Sequence, residues 1–229
     1  MWIPERGVRL CGRCAAGLAG CVGGDYCRLC AVDVGPYLLH DGRCGDCRGR
    51  RPALSRLARV GRYEGALRDM ILVFKHDRRL AGPLGRLLAE VLERELSPEE
   101  LDFVVPVPSP GRRRFLRGFH PTGLLAHETS RHVGLRWAAA LEMARPMRPQ
   151  VGLSATERAA NVRGAFRPAP GTALVGRRVC VLDDVCTTGA TLREAARTLR
   201  EAGAESVVGV VLARTSDTSA AIAVPETCR

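Results

Sequence analysis

The sequence predicts an α/β protein, a parallel sheet flanked by helices, preceded by a small Cys-rich metal module. Three observations carry this. Past Pro52, short apolar runs alternate with longer segments of helical period, the order that builds parallel sheets. One apolar run, 179–182, delivers two acids into a Thr-Thr-Gly loop that opens a helix. The first 51 residues hold three C-x-x-C pairs, Cys11/Cys14, Cys27/Cys30 and Cys44/Cys47.

Composition sets the class. The chain has 229 residues, 46% hydrophobic and 26% charged, enough to bury a core. No apolar run approaches the ~18 residues of a membrane span. The Ala/Gly stretch after Arg13 is short and meets Asp25, a poor signal peptide. The reading is a soluble, cytoplasmic protein with no membrane insertion. Its 35 basic residues outnumber 24 acidic ones, a formal charge of +11. That balance suits an anionic partner, nucleic acid or polyphosphate, against the blander account of a solvated basic surface. Lys75 is the only lysine among the basic residues. The abundance of Ala, Gly and Arg looks like a GC-rich coding bias. A lysine that survives it marks a place where a compact ammonium fits and a wide guanidinium does not, with chance survival as the alternative.

The elements follow in order. Residues 1–51 are rich in Gly and Arg, show no sustained helical period, and read as a metal-dependent module with a polar exit at 48–52. Residues 52–229 read as the second domain. Within it, 60–63 reads as a short strand, and Leu67, Ile71, Leu72 and Phe74 as a helix face ending at Lys75. A helix over 80–96 carries Leu84, Leu87, Leu88, Val91 and Leu92 at helical spacing. Residues 102–107 form a strand closed by Pro106 and Pro108. Residues 122–132 form a helix with Pro121 in its first turn. The 138–143 run is ambiguous, and 154–163 reads as a loop or mobile helix. A strand at 178–182, a helix at 191–202 ended by Gly203, and a strand at 206–213 complete the order.

The most informative segment is Val179-Cys-Val-Leu-Asp-Asp-Val-Cys-Thr-Thr-Gly-Ala-Thr191. Ligands of open α/β sheets sit beyond the carboxyl ends of strands. Loop N–H groups at a helix N-terminus cradle an anion. Thr187, Thr188 and Thr191 add hydroxyl donors, Gly189 admits close backbone approach, and Ala190 opens the helix. Asp183 and Asp184 accept hydrogen bonds from a vicinal diol. Phosphate plus diol describes a ribose 5-phosphate. No G-x-x-x-x-G-K-[ST] occurs, which excludes a Walker-type NTPase. Direct Mg²⁺ binding by the acid pair, as in a receiver domain, fits the Thr-Thr-Gly loop poorly.

Cys27, Cys30, Cys44 and Cys47 form two knuckles separated by thirteen residues, the spacing of a structural Zn²⁺ ribbon. Cys11 and Cys14 look like half of a second ribbon. They stand without a metal, recruit Cys21, or compete for the same ion. Redox chemistry is the alternative, and three pairs in a row argue against it. Cys180 and Cys186 read as small buried hydrophobes.

Arginines gather in two places. Arg112, Arg113, Arg114 and Arg117 interleave with Phe115 and Phe119, and Arg48, Arg50, Arg51, Arg56, Arg59 and Arg62 line the exit of the metal module. A basic groove with aromatic faces binds single strands without sequence preference. The competing account makes these residues part of a phosphate site.

The segment around Asp183 and Asp184 resembles the fingerprint of type I phosphoribosyltransferases, which bind phosphoribosyl pyrophosphate (PRPP) with Mg²⁺. Further pieces resemble the ComF family of competence-related phosphoribosyltransferase-like proteins. They are the zinc pairs, Phe74-Lys75, Val105-Pro-Val-Pro108, Arg117-Gly-Phe119, Leu124-Leu-Ala126, Gln150, and Arg158 with Asn161-Val-Arg-Gly-Ala-Phe166. The resemblance spans nearly the whole chain and implies the type I phosphoribosyltransferase fold behind a zinc ribbon. It implies that Asp183 and Asp184 hold the ribose hydroxyls and that Thr187, Thr188, Gly189, Ala190 and Thr191 hold the 5′-phosphate. The loop after Val107 takes the pyrophosphate side, and the Arg158 segment closes over it. Lys75, Arg117, Arg158 and Mg²⁺ are the cations for pyrophosphate departure. It implies a role in DNA uptake and natural transformation, with single-stranded DNA and competence-machinery proteins as partners. The alternative is a phosphoribosyltransferase of nucleotide salvage or metabolism with an unknown acceptor. Two departures stand out: His120-Pro121 replaces the family's Asn-Gln, and three C-x-x-C pairs occur where the family usually has four.

Overall fold

The computed structural model describes residues 11–109, 118–148 and 152–215. Within them five strands form one parallel sheet. From edge to edge these are β1 (Arg56–Arg62), β7 (Ser206–Arg214), β6 (Arg178–Cys186), β2 (Phe103–Pro106) and β3 (Arg136–Trp137). Both faces are covered, so the strands read as continuous apolar runs. The period of two still divides them. Cys180 and Leu182 enter one core with Ala58, Val104 and Val210, while Val179 and Val181 enter the other with Leu57, Val105 and Val211.

The first core is roofed by α2 (Gly65–Phe74), α3 (Ala81–Leu96) and α4 (Pro121–Val133). The second is closed by α6 (Ala190–Glu201) and an antiparallel pair of β4 (Leu141–Met143) and β5 (Phe166–Pro168). From β6 the chain moves one way, through α6 to β7. From β2 it moves the other way, through α4 to β3. The direction of winding therefore reverses between β2 and β6, and the crevice beyond their carboxyl ends is where such sheets take ligands. No helix among the described residues is long and apolar enough to cross a membrane.

Three local expectations are corrected or narrowed. The Cys-rich segment does contain a helix, α1 (Gly12–Cys21). Its Gly, Ala and Cys content hides the period, and it is held by burying Leu18 and Cys21 in the first core. The chain leaving it pairs Val22 with Gly61 of β1, and a Cβ on Gly61 would lie 2.1 Å from the Cys21 carbonyl oxygen, so this approach requires glycine. Residues 155–162 form a true helix, α5 (Ala155–Val162), started by a reciprocal capping box between Ser154 and Glu157. Strand β6 runs on to Cys186, past the expected end at Leu182, and includes both acids at its carboxyl end.

Candidate functional site

At the carboxyl end of β6, alternation carries Asp184 to the face of Cys180 and Leu182, the face roofed by α2. Lys75 caps the C-terminus of α2. Its Nζ lies 3.7 Å from Asp184 Oδ2, with both side chains largely shielded. Asp183 takes a different environment. Its Oδ1 accepts the Asp184 N–H at 2.9 Å. Burial, then the neighbouring Asp184 charge, holds its carboxyl well above the usual range, with Lys75 drawing it back. Two adjacent carboxyl groups served by one ammonium leave unused acceptor capacity at the carboxyl end of β6.

The loop at 187–189 turns the chain into α6. Gly189 sits at the N-cap with φ of +73°, a conformation that favours glycine. The Ala190 N–H faces Thr188 Oγ1 at 3.3 Å, and Arg193 donates to the Thr188 carbonyl at 2.9 Å. Gly189 itself has no side chain to cap this helix, and the positive end of the helix dipole lies at the loop. Thr187, Thr188 and Gly189 are partly accessible, and Ala190 is buried beneath them.

Across the crevice, Val107 follows β2 and donates its N–H to the Leu182 carbonyl at 2.8 Å. The Thr122 hydroxyl donates to the Val107 carbonyl at 2.6 Å. His120 stands at the N-cap of α4, where Nδ1 accepts the Gly123 N–H at 2.9 Å and Nε2 faces the Ser109 N–H at 3.0 Å. The imidazole thus fills the capping place an asparagine would take, lying between the loop after β2 and α4; a neutral ring accepts at only one of these two nitrogens. Beside it lies a cleft of about 710 Å³ lined by Ser109, Phe119, His120, His127, Trp137 and Glu142, among others. Trp137 is 42% exposed and meets His127 edge-on at 6.4 Å. Trp137 and His127 were not singled out in the sequence; an aromatic ending a two-residue edge strand carries no pattern of its own.

Arg158 lies on α5, which packs against α6. Its Nε is buried without a hydrogen-bond partner, and it makes no ion pair with Asp183 or Asp184 among the described residues. The base of this segment is pinned. The Asn161 side chain exchanges two 3.0 Å hydrogen bonds with the Arg148 backbone, and Gly164 donates its N–H to Glu194 of α6 at 2.6 Å. Arg112, Arg113, Arg114, Phe115, Arg117, Gln150 and the tail 216–229, with Cys228, lie outside the described residues.

The four thiol sulfurs of Cys27, Cys30, Cys44 and Cys47 lie within 4.8 Å of one another, shielded from solvent. The Cys44 N–H donates to Cys27 Sγ at 3.3 Å. Burial opposes ionisation at Cys27, Cys30 and Cys47. At Cys27 the N–H groups of Cys44, Leu29 and Cys30 outweigh it and bring the thiol down to about 7. At Cys30 burial pushes the thiol up, and at Cys47 it pushes it to about 11. Four sulfurs this close ionise together only around a cation, so the donor set and spacing fit structural Zn²⁺. Cys11 and Cys14 stand outside the cluster, with Cys11 capping α1 and accepting the Cys14 N–H. Cys21 is buried and donates to the Gly17 and Glu64 carbonyls. Cys180 and Cys186 are buried as expected, and burial pushes Cys180 to about 12.

The expected basic exit needs correction. Arg59 is fully buried, stacked over Tyr26 and paired through two guanidinium nitrogens with Asp33. Arg62 pairs with Glu64 and Arg56 with Glu95. Period two places Arg59 inward, and only the fold supplies its acid. Arg48, Arg50 and Arg51 remain exposed.

The phosphoribosyl transferase domain family matches residues 131–225. The chain is 36% identical over 178 residues to the DNA utilization protein YhgH of Escherichia coli (strain K12), covering 75% of this chain and 78% of that one. It is 30% identical over 196 residues to Competence protein F of Haemophilus influenzae, covering 82% and 84%. Among solved structures it is similar to the glutamine phosphoribosylpyrophosphate amidotransferase from B. subtilis, with 26% identity, a TM-score of 0.39, and coverage of 57% of this chain and 25% of that one. Relatedness to two such proteins over three quarters or more of each chain, with a phosphoribosyl transferase domain over the acid pair and its loop, makes this chain a member of the ComF family of phosphoribosyltransferase-like proteins.

Proposed function

We propose that the chain binds Mg·PRPP at the crevice between β2 and β6, binds single-stranded DNA beside it, and serves in DNA uptake. The observation that carries the first part is convergence. The Asp183–Asp184 pair, Lys75 and the helix N-terminus behind Gly189 meet at the point where the sheet reverses its winding. Asp183 and Asp184 accept the ribose hydroxyls, and residues 187–191 take the 5′-phosphate. The loop after Val107 faces the pyrophosphate, with Lys75, Arg117 and Arg158 as cationic partners. Mg²⁺ bound with PRPP offsets charge on the pyrophosphate oxygens. Residues 1–51 act as a zinc-ribbon module on the domain formed by 52–229, with Cys27, Cys30, Cys44 and Cys47 as ligands.

The DNA part is supported by the formal charge of +11, by the cleft holding Trp137, and by relatives whose names refer to competence and DNA utilization. A flat base fits between aromatic walls, and stacking tolerates any sequence. A second reading, transfer of phosphoribose to a small acceptor, is favoured by the intact acid pair and phosphate loop.

The decisive experiment changes Asp183→Asn with Asp184→Asn. PRPP binding should disappear by calorimetry. Single-stranded DNA binding should persist by filter titration and weaken with salt, because it rests on arginines. Loss of DNA binding by a folded double variant would mean that both ligands share one site. Pyrophosphate release from Mg·PRPP, with and without DNA, separates binding from turnover.

A further inference from the structure

Strand β7 ends at Arg214, whose side chain is buried. Its guanidinium serves carbonyl oxygens from two parts of the molecule. Nε donates to the Cys30 carbonyl at 3.1 Å. Nη1 donates to the Thr215 carbonyl at 2.9 Å and reaches the Cys186 carbonyl at 3.5 Å. Thr215 reinforces this by donating its N–H to the same Cys186 carbonyl at 3.0 Å. Cys30 is one of the four clustered thiols, and Cys186 leads directly into the loop at 187–189. One side chain therefore spans the metal centre and the phosphate loop.

The Cys30 end of this link is tightly constrained. Ala31 adopts a φ of +58°, unfavourable for a residue with a Cβ, and is fully buried. Its N–H donates to the Cys27 carbonyl at 2.7 Å, closing the knuckle. The Leu57 N–H of β1 grips the Arg28 carbonyl at 2.8 Å, and Arg59 grips Asp33. A bound cation and these anchors fix where the Cys30 carbonyl points. Without the cation, the knuckle loses the bonds that hold Ala31 in its strained conformation, and the carbonyl is released. A buried guanidinium that loses an acceptor must find another or move, which disturbs its hold on Cys186.

We infer that Arg214 is a positioning residue that couples the metal centre to the phosphate loop. Zinc occupancy orders residues 186–191, and a 5′-phosphate ligand held there retains the zinc. The second half rests on the PRPP reading above, and the first does not. Coupling of this kind is reciprocal and commonly amounts to about 5- to 150-fold in affinity.

Two measurements on the full chain test it. In hydrogen exchange, stripping zinc with a chelator should speed exchange in peptides covering 27–47 and also 186–192, while 121–133 stays protected. In Arg214→Gln, exchange at 186–192 should be fast and indifferent to zinc, and Arg214→Lys should fall between, since an ammonium cannot span both carbonyls. Unchanged exchange at 186–192 in the metal-free natural sequence overturns the proposal. So does a rise shared by 121–133, which would make the whole fold metal-dependent. Both outcomes are read without the variants. In the second measurement, saturating Mg·PRPP should slow zinc release to a chromophoric chelator by about fivefold or more. Equal release with PRPP bound overturns the coupling. Absence of PRPP binding refutes the PRPP reading instead, and the exchange result still decides the role of Arg214.

Discussion

Lys75 Nζ stands 3.7 Å from Asp184 Oδ2, so the chain's single lysine meets the second acid of the Asp183–Asp184 pair across the gap between α2 and β6. The two residues are 109 positions apart. The ammonium partly offsets the charge of the acid pair.

Replacing Lys75 by Arg tests whether compactness matters. A planar guanidinium is wider than a compact ammonium. Lys75→Arg should weaken Mg·PRPP binding about tenfold in calorimetry, roughly 1.4 kcal/mol. Equal affinity would assign the lysine's survival to chance.

Asp183 is held protonated to a higher pH than a free carboxyl. The folded state binds more protons than the unfolded one in that range, so this group's contribution falls as pH rises from the ordinary carboxylate value, about 4, through the folded value. Asp183→Asn should therefore raise the melting temperature at neutral pH and flatten its pH dependence, while removing PRPP binding. A lower melting temperature would show that the carboxylate is satisfied within the protein.

Cys30→Ser removes one of four clustered thiols. Zinc content by elemental analysis should fall, and the 22–51 segment should become protease-sensitive, because metal binding supplies much of its folding free energy. A zinc-free natural protein with a resistant segment would contradict the metal assignment.

Asp33→Asn leaves the fully buried Arg59 without its counter-charge, a loss of about 3 kcal/mol in chemical denaturation. The Arg59 hydrogen bonds hold the Asp33 carboxyl below its ordinary range. Its contribution is complete above the unfolded value, about 4, and is lost as pH falls through the folded value. The variant should therefore lose the corresponding part of the acid transition.

Trp137→Ala should cost about 1–3 kcal/mol in single-stranded DNA affinity, read by anisotropy of a labelled oligonucleotide, and Trp137→Phe should retain most of it. Equal affinity for the Ala variant would empty the cleft of any base.

Much was legible before the structure. The acid pair, the Thr-Thr-Gly turn and the four zinc-ribbon cysteines are local chemistry, contained within a few residues or a short fixed spacing. The alternation of apolar runs announced the parallel sheet because its strands, buried on both faces, must be apolar throughout. The capping box at Ser154 and Glu157 was equally local and was overlooked. The helix at Gly12–Cys21 was hidden by small residues whose period appears only when they dock.

What the amino-acid order alone determined was which groups the site contains. Which group serves which was decided by the tertiary fold. Arg59 and Arg62 look alike in sequence, yet one is sealed against Asp33 and Tyr26 and the other lies at the surface. Lys75 reaches Asp184, and Arg214 reaches Cys30 and Cys186, only because helix packing and strand order bring distant segments together. A hydrogen bond or ion pair acts over a few ångströms in space, whereas sequence pattern registers neighbours along the chain, so partners of this kind emerge only when the chain folds.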